Sequence, residues 1–271
     1  MRWGPALFSS LTQLGPTCGA IAIARDGDDL ARGVVDEVIP VASITKALFG
    51  YAVMIAVEEH ALSLDQPCGA MGSTVRHLLA HASGFGFTAT DPVSAPGLRR
   101  VYSNHGFDVL GELLERETQL SPANYLRDAV LEPLQMRSTS LKGSPAKDAF
   151  STARDLSLFV IEMLAPTLVH PSTFTNFTAV QFPDLAGIVP GVGHFRPNPW
   201  GLGVEIRGAK HPHWTGRTNS IDTFGHFGGQ GSMFWVDPLA GVGLVVTNSR
   251  PFGPWALEAW PTLSDAVLVE H

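Results

Sequence analysis

Residues 41–60 read VASITKALFGYAVMIAVEEH, and the fold is decided by how this stretch is read. From Ala47 to Val57 (ALFGYAVMIAV) it carries no charged residue. A helix that is apolar all round has no face for water and belongs at the centre of a fold. The spacing predicts such a helix over about residues 43–60. Ser43 stands at its start and Lys46 three residues on. At 3.6 residues per turn these positions share a face, so hydroxyl and amine meet. A serine hydroxyl is a weak nucleophile until a neighbouring base takes its proton. A buried lysine can be that base, because desolvation and nearby positive charge lower its pKa. The helix N-terminus adds a positive dipole end beside Ser43. Alone, S-x-x-K fits equally well a capping serine and a solvated lysine.

Outward from this helix the pattern changes with position in the chain. A short helix is expected over residues 5–14, ended by Gly15-Pro16. Cys18–Arg25 reads as a core strand, Asp26-Gly27-Asp28 as a turn, and Leu30–Val35 as the second strand of a hairpin. Beyond the central helix, Leu62–Pro67 is a loop. Thr74–Ala80 is a short amphipathic helix capped by Thr74 or Ser73. Asn104–Gln119 and Pro122–Leu131 have helical spacing. Ser151–Leu164 does too, with Thr152 and Asp155 as a possible capping box. Residues 165–199 read as a long ordered loop. Trp200–Ile206, Ser232–Val236 and Val242–Thr247 then read as strands, and Trp255–Val269 as a closing helix despite Pro261. The expectation is one domain over residues 1–271. Its α/β part comes from residues 1–60 and 200–271, and a mostly helical region, residues 61–199, is inserted between.

Composition narrows the function. The 271 residues are 45% hydrophobic and 16% charged, enough for a large core. A net charge of −7 without a basic cluster argues against a nucleic-acid partner. No stretch reaches the 18 apolar residues of a membrane span. Cys18 and Cys68 cannot form a disulfide framework, and free thiols in a reducing compartment are expected. The stretch MRWGPALFSSLTQLG is not a convincing secretory signal. The expected location is therefore cytoplasmic, or periplasmic or secreted if a signal has been removed.

Two further stretches carry chemistry. Tyr102-Ser103-Asn104 precedes the helix at 104–119, and alternate residues of an extended segment point the same way. The phenol can shuttle a proton and the amide can hold Lys46 or a substrate carbonyl. An ordinary helix cap by Ser103 or Asn104 fits the same residues. Gly225-His226-Phe227-Gly228-Gly229-Gln230-Gly231-Ser232 lets a strand edge approach a ligand closely. There the Gly229 N–H can join the Ser43 N–H as a second oxyanion donor; a plain glycine-rich hairpin bend fits as well.

Taken in order, Ser43-x-x-Lys46, Tyr102-x-Asn104 and His226-x-Gly228 resemble the motif set of class C β-lactamases and related penicillin-binding-protein-like serine hydrolases. VASITKALFG, LSLDQP, HLLAHASGF, VYSNHGFDVLGELLE, LEPLQM, FSTARDLSLF and LVVTNS stand in that family's order, over roughly residues 17–250. The resemblance implies an α/β (α+β) β-lactamase/transpeptidase-like fold, an antiparallel sheet flanked by helices. It implies Ser43 as acylated nucleophile, Lys46 as base or proton relay and Tyr102 as the partner that exchanges the proton. Asn104 would bind Lys46 or the acyl amide, and His226 would lend positive potential or a hydrogen bond near Tyr102. Gly228 and Gly229 would complete the substrate-binding edge. S-x-x-K is a serine-nucleophile signature whose acylation base is disputed. No cofactor or metal is implied, and the partner is a small acyl substrate.

Departures from the family bear on the substrate. Phe227 stands in the third motif where penicillin-recognising enzymes usually carry Thr or Ser, so a substrate carboxylate loses a hydroxyl donor and, without lysine, a permanent charge. The segment from Gly84 to Tyr102 is short, which opens the cleft. Both favour an esterase-like enzyme over a β-lactamase or D-alanyl-D-alanine peptidase; a catalytically weak binding or sensor protein is the alternative of another class. No G-x-S-x-G occurs. His77, His81, His105, His211 and His213 show no metal-ligand spacing. His81 reads as a structural histidine near the cleft.

Overall fold

The structure, a computed structural model, describes residues 14–27 and 29–270. The helix expected over 5–14 lies outside the described residues apart from Leu14. The chain opens with β1 (Gly19–Ala24), β2 (Asp29–Gly33) and β3 (Ile39–Pro40), then enters α1 (Thr45–Glu58) through a 3₁₀ turn at Ala42–Ile44. Next come α2 (Val75–Leu79), α3 (His105–Thr118), α4 (Pro122–Leu126), β4 (Ser140–Leu141), β5 (Ala149–Ser151), α5 (Ala153–Leu164) and α6 (Pro171–Thr178). The last part holds β6 (Gly187–Val189), β7 (Gly193–Phe195), β8 (Glu205–Ile206), β9 (Phe224–Gly228), β10 (Ser232–Asp237), β11 (Val242–Thr247) and α7 (Pro254–Glu270).

Strands from both ends of the chain share one antiparallel sheet, ordered β2-β1-β11-β10-β9-β8. Gly19 pairs with Thr247 and Ala24 with Val242, which closes the N-terminal hairpin onto the last strand. Alternate residues then face opposite sides. Ile21, Ile23, Phe234, Val236 and Val245 face the core that holds α1 and α5. Ala22, Ala24, Trp235, Leu244 and Val246 face Trp260, Leu263 and Val267 of α7. The Trp235 indole N–H, which burial would otherwise orphan, donates to Ser264 Oγ at 2.9 Å. This is a mixed α/β architecture, an antiparallel sheet with helices on both faces.

Residues Thr45 to Ala56 of α1 are buried without a break, as its composition requires. Packing is close enough that a Cβ at Gly50 would stand 2.8 Å from the Leu202 carbonyl oxygen. Gly201–Val204 runs as a tight loop over α1; of the expected strand, Glu205–Ile206 joins the sheet and Trp200 makes isolated bridges to Gln181 and Glu205. The strand β9 was not expected: with Gly225 and Gly228 among its five residues its pattern reads as a bend. Residues 165–199 are more structured than expected, with α6 and the β6–β7 hairpin inside them. Pro171 sits at the first helical position of α6, where its missing N–H costs nothing, and the His170 side chain caps the turn.

Caps differ in detail from expectation. Thr152 Oγ1 accepts from Asp155 N–H at 3.0 Å, but the Asp155 carboxylate turns away to Ser138 and Thr139, so the box is half made. Neither Thr74 nor Ser73 caps α2 through its side chain; Thr74 Oγ1 meets His77 Nδ1 at 2.9 Å instead. Ser103, not Asn104, serves the start of α3, its Oγ accepting from Gly106 N–H at 3.0 Å. Cys18 is buried and Cys68 half-buried, and they are not bridged. Among the described residues no helix is long and apolar enough to cross a membrane.

Strand β9 lies against the 3₁₀ turn so closely that a Cβ at Gly228 would stand 2.2 Å from the Val41 carbonyl oxygen. Gly228→Ala should therefore force backbone apart and cost about 1–3 kcal/mol. At Gly229 a Cβ would meet nothing within 4 Å, so Gly229→Ala should leave the urea midpoint where it is. Equal midpoints for the two variants would contradict this packing.

Candidate active site

Ser43 stands in the 3₁₀ turn, just after a strained residue. Ala42 has φ 46°, the left-handed region, which costs a non-glycine residue on the order of 1 kcal/mol. The turn is held against that cost. Val41 N–H donates to Ala149 O at 3.0 Å and Ile44 N–H to Val41 O at 3.2 Å. Thr45 Oγ1 donates to Ala42 O at 2.5 Å and accepts from Ala149 N–H at 3.0 Å.

Lys46 follows on the first turn of α1 and is fully buried. Its Nζ lies 2.6 Å from Asn104 Oδ1, 2.8 Å from Ala146 O and 3.4 Å from Ser43 Oγ. Burial holds the amine well below the ordinary lysine range; Asp108 works against that, and Lys147 adds to it. A neutral amine has two N–H donors and one lone pair. Asn104 and Ala146 present two oxygens that can only accept, so they take the N–H groups and leave the lone pair for the Ser43 hydroxyl. The ammonium is also 4.7 Å from the centre of the Tyr102 ring, where a protonated state gains from the ring face.

Tyr102 reaches the same point from the other side. Burial raises its phenol pKa, the Ser43 hydroxyl pulls it down by hydrogen bonding, and Glu205 pushes it up again. Its Oη lies 3.4 Å from His226 Nε2. His226 Nδ1 is 2.8 Å from the Phe227 carbonyl, which can only accept, so Nδ1 carries the proton and Nε2 offers a lone pair to Tyr102. Burial and the Lys46 charge hold this imidazole down to about 3. His226 is thus neutral at neutral pH. Of its two expected contributions the hydrogen bond fits, and the positive potential does not.

The Tyr102–Asn104 segment is clamped from below. His81 lies under Tyr102 with ring centres 4.4 Å apart, and its Nδ1 accepts from Ser103 N–H at 3.2 Å. Ser103 Oγ donates to Gly86 O at 2.8 Å and Asn104 N–H to Phe87 O at 2.7 Å. His81 is a buried structural residue of the site, as expected from its place near the cleft.

These groups open on a cavity of about 260 Å³. Ser43, Tyr102, His226 and Gly229 line it together with Phe87, Trp200, Glu205, Phe227 and Phe252. Gly228 lies behind, packed on the Ser43 turn. All seven residues singled out in the sequence therefore gather around one place. Phe227 packs against Phe252 with ring centres 4.6 Å apart and planes tilted by 33°, so the third motif adds apolar surface where a hydroxyl was missing. Sequence reasoning did not find Ala146, Trp200, Glu205, Phe87 or Phe252. Ala146 contributes only a backbone carbonyl, which no side-chain motif announces. Glu205 is buried, bound by Lys210 Nζ, His213 Nε2 and Trp214 Nε1 at 2.5, 3.1 and 2.7 Å. His213 belongs to this cluster, and His211 lies at a separate surface cavity; neither reaches Ser43.

The family model described as Beta-lactamase matches residues 17–267. A beta-lactamase from Mycobacterium bovis of solved structure is 47% identical, with a TM-score of 0.95 over 97% of this chain and 98% of that one. Unliganded simvastatin synthase from Aspergillus terreus has the same fold at 17% identity, with a TM-score of 0.77 over 98% of each chain. Protein flp of Staphylococcus aureus (strain MW2) is 29% identical over 153 residues, 44% of this chain and 31% of flp, so the match spans about a third of that protein's length.

The His226 imidazole makes a pH prediction. Its folded pKa of about 3 lies below the ordinary 6.5, so between those values the unfolded chain holds a proton that the folded chain does not. Stability should fall as pH drops from 6.5 towards 3 and gain nothing from this group above 6.5. His226→Asn should make the fall shallower by up to about 1.4 kcal/mol per pH unit. Urea midpoints at several pH values read this directly, and parallel profiles for the two proteins would refute it.

Proposed function

The chain belongs to the beta-lactamase family, and from that premise we propose that it is a serine hydrolase working through a covalent acyl-enzyme on a small ester, amide or lactam. Residues 1–271 are read as one such domain. The observation that carries the proposal is the placement of the Lys46 amine, 3.4 Å from Ser43 Oγ and held by the acceptors Asn104 Oδ1 and Ala146 O, so that in its neutral state the lone pair is left for Ser43. In this reading Ser43 Oγ attacks the substrate carbonyl and its proton passes to Lys46. The backbone N–H groups of Ser43 and Gly229 receive the developing oxyanion, and loss of one such donor costs on the order of 10²–10³ in rate. Tyr102 exchanges the proton with Lys46 and delivers it to the leaving group. A water then attacks the acyl carbon, Tyr102 or Lys46 takes its proton, and the ester bond to Ser43 breaks to regenerate the hydroxyl.

Esterase-like substrates are favoured. Phe87, Trp200, Phe227 and Phe252 give the cavity an aromatic wall. His226 is neutral, and the Lys46 amine is already engaged by Asn104 and Ala146, so a substrate carboxylate entering there gains no charge from the imidazole. The Mycobacterium bovis relative is designated a beta-lactamase, which makes the lactam the substrate to measure against. Simvastatin synthase, at 17% identity, shares the fold alone and does not choose between acceptors.

A fluorophosphonate probe with intact-mass readout tests the nucleophile. Wild type should gain one adduct, Ser43→Ala none, and Lys46→Ala should react about 10²–10⁴-fold more slowly, the range of a general base. An equal adduct on Ser43→Ala would sink the proposal. Rates on p-nitrophenyl butyrate and on a chromogenic cephalosporin then rank the substrates; much faster cephalosporin turnover would overturn the ester preference while leaving the serine mechanism in place.

A further inference from the structure

Helix α3 presents two polar side chains one turn apart towards Lys46. Asn104, just before the helix, bonds the amine directly. Asp108, four residues on and half-buried, does not touch it; its Oδ1 accepts from Ser144 Oγ in a short hydrogen bond. The same Ser144 Oγ accepts from Ala146 N–H at 3.1 Å, and Ala146 O is the second acceptor on Lys46. Ser144 N–H in turn donates to Asp148 Oδ2 at 2.9 Å, which draws residues 144–148 into a closed turn. The turn is anchored beyond its end as well, where Ala149 N–H donates to Thr45 Oγ1 at 3.0 Å beside Lys46.

We propose that Asp108 is a positioning residue of this site: through Ser144 it fixes the turn whose Ala146 carbonyl, with Asn104, aims the Lys46 amine at Ser43. The inference rests on the reading of Lys46 given under Proposed function. The geometry assigns one element, α3, both oxygens that occupy the amine, one directly and one through a serine and a backbone carbonyl. The charges around Lys46 make the carboxylate effective. Asp108 on α3 favours the protonated amine, while exposed Lys147 on the turn opposes it. From the remaining elements Lys46 faces His226 of β9 and His81 after α2, which are both held neutral, and the Tyr102 phenol, whose pKa is raised. Asp108 is thus the carboxylate whose field counteracts burial at the amine.

Asp108→Asn keeps an oxygen for Ser144 and removes the charge. The Lys46 amine should then lose its proton at lower pH, and the acid limb of kcat/KM for p-nitrophenyl butyrate should move to lower pH. Lys147→Gln, a substitution at an exposed position, should move the limb the other way and by less, since solvent screens that charge. Ser144→Ala keeps the charge and cuts the latch, so kcat should fall about tenfold or more across the whole pH range. NMR titration of protein labelled with ¹³C at lysine Cε follows Lys46 without any substrate. This separates failure of the inference from failure of the hydrolase reading. A Lys46 titration in Asp108→Asn that coincides with wild type, or moves to higher pH, would overturn the inference, as would a Ser144→Ala enzyme with undiminished kcat.

Discussion

A lysine amine fully removed from water is the constraint on which the rest of this structure depends. Burial favours the neutral form and holds the pKa of this amine well below the ordinary lysine value. Charged or neutral, such an amine needs acceptors for its N–H groups. Asn104 and Ala146 provide them from the segment before α3 and from the β4–β5 turn. Those two elements must therefore meet at the first turn of α1. The sheet built from both chain ends carries β9 to the third side of the same point, with Gly228 small enough to let it rest on the Val41 carbonyl.

The segments that converge there are loops, yet they are held as firmly as regular elements. Arg100 shows how. Its guanidinium is buried and donates to the carbonyls of Asn198, Gln181 and Phe182 at 3.0, 2.7 and 3.1 Å, and to Ala80 as well. Burial pulls this arginine down to about 9, and the surrounding carbonyl dipoles offset much of the cost of keeping it there. One side chain thus ties together the end of α2, the segment leading to Tyr102 and the 181–198 region. His81 does the same on a smaller scale beneath Tyr102. A polar loop becomes rigid when its carbonyls are used as ligands.

This explains what the sequence made legible. The apolar runs of α1 and of strands β1, β10 and β11 were readable because burial on all sides leaves a nearly unbroken apolar stretch. The three motifs were readable because their work is done by side chains. Strand β9 hid behind its glycines, which are there because β10 and the 3₁₀ turn approach the backbone and leave no room for a Cβ. Helix α6 hid in a stretch rich in Pro and Thr, although Pro171 marks its first position. Ala146 was unreadable in principle, since a carbonyl belongs to every residue. So was Glu205, whose place on the cavity wall depends on Lys210, His213 and Trp214 closing around it.

Glu205 also shows that burial alone does not decide a charge. Burial alone would raise its pKa, but Lys210 and His213 lower it further, so it stays ionised. At Lys46 the partners differ: the acceptors are uncharged, Asp108 connects to it only through Ser144 and Ala146, and burial holds the pKa well below the ordinary lysine value. The difference lies in the partners. A charge that meets its counter-charge directly is fixed and serves the architecture. A charge that meets only dipoles can be given up and taken back at small cost. On the proposed reading this is what an acyl-transfer base must do twice in each turnover, and it requires that the nearest carboxylate act through a serine and a carbonyl and not by contact.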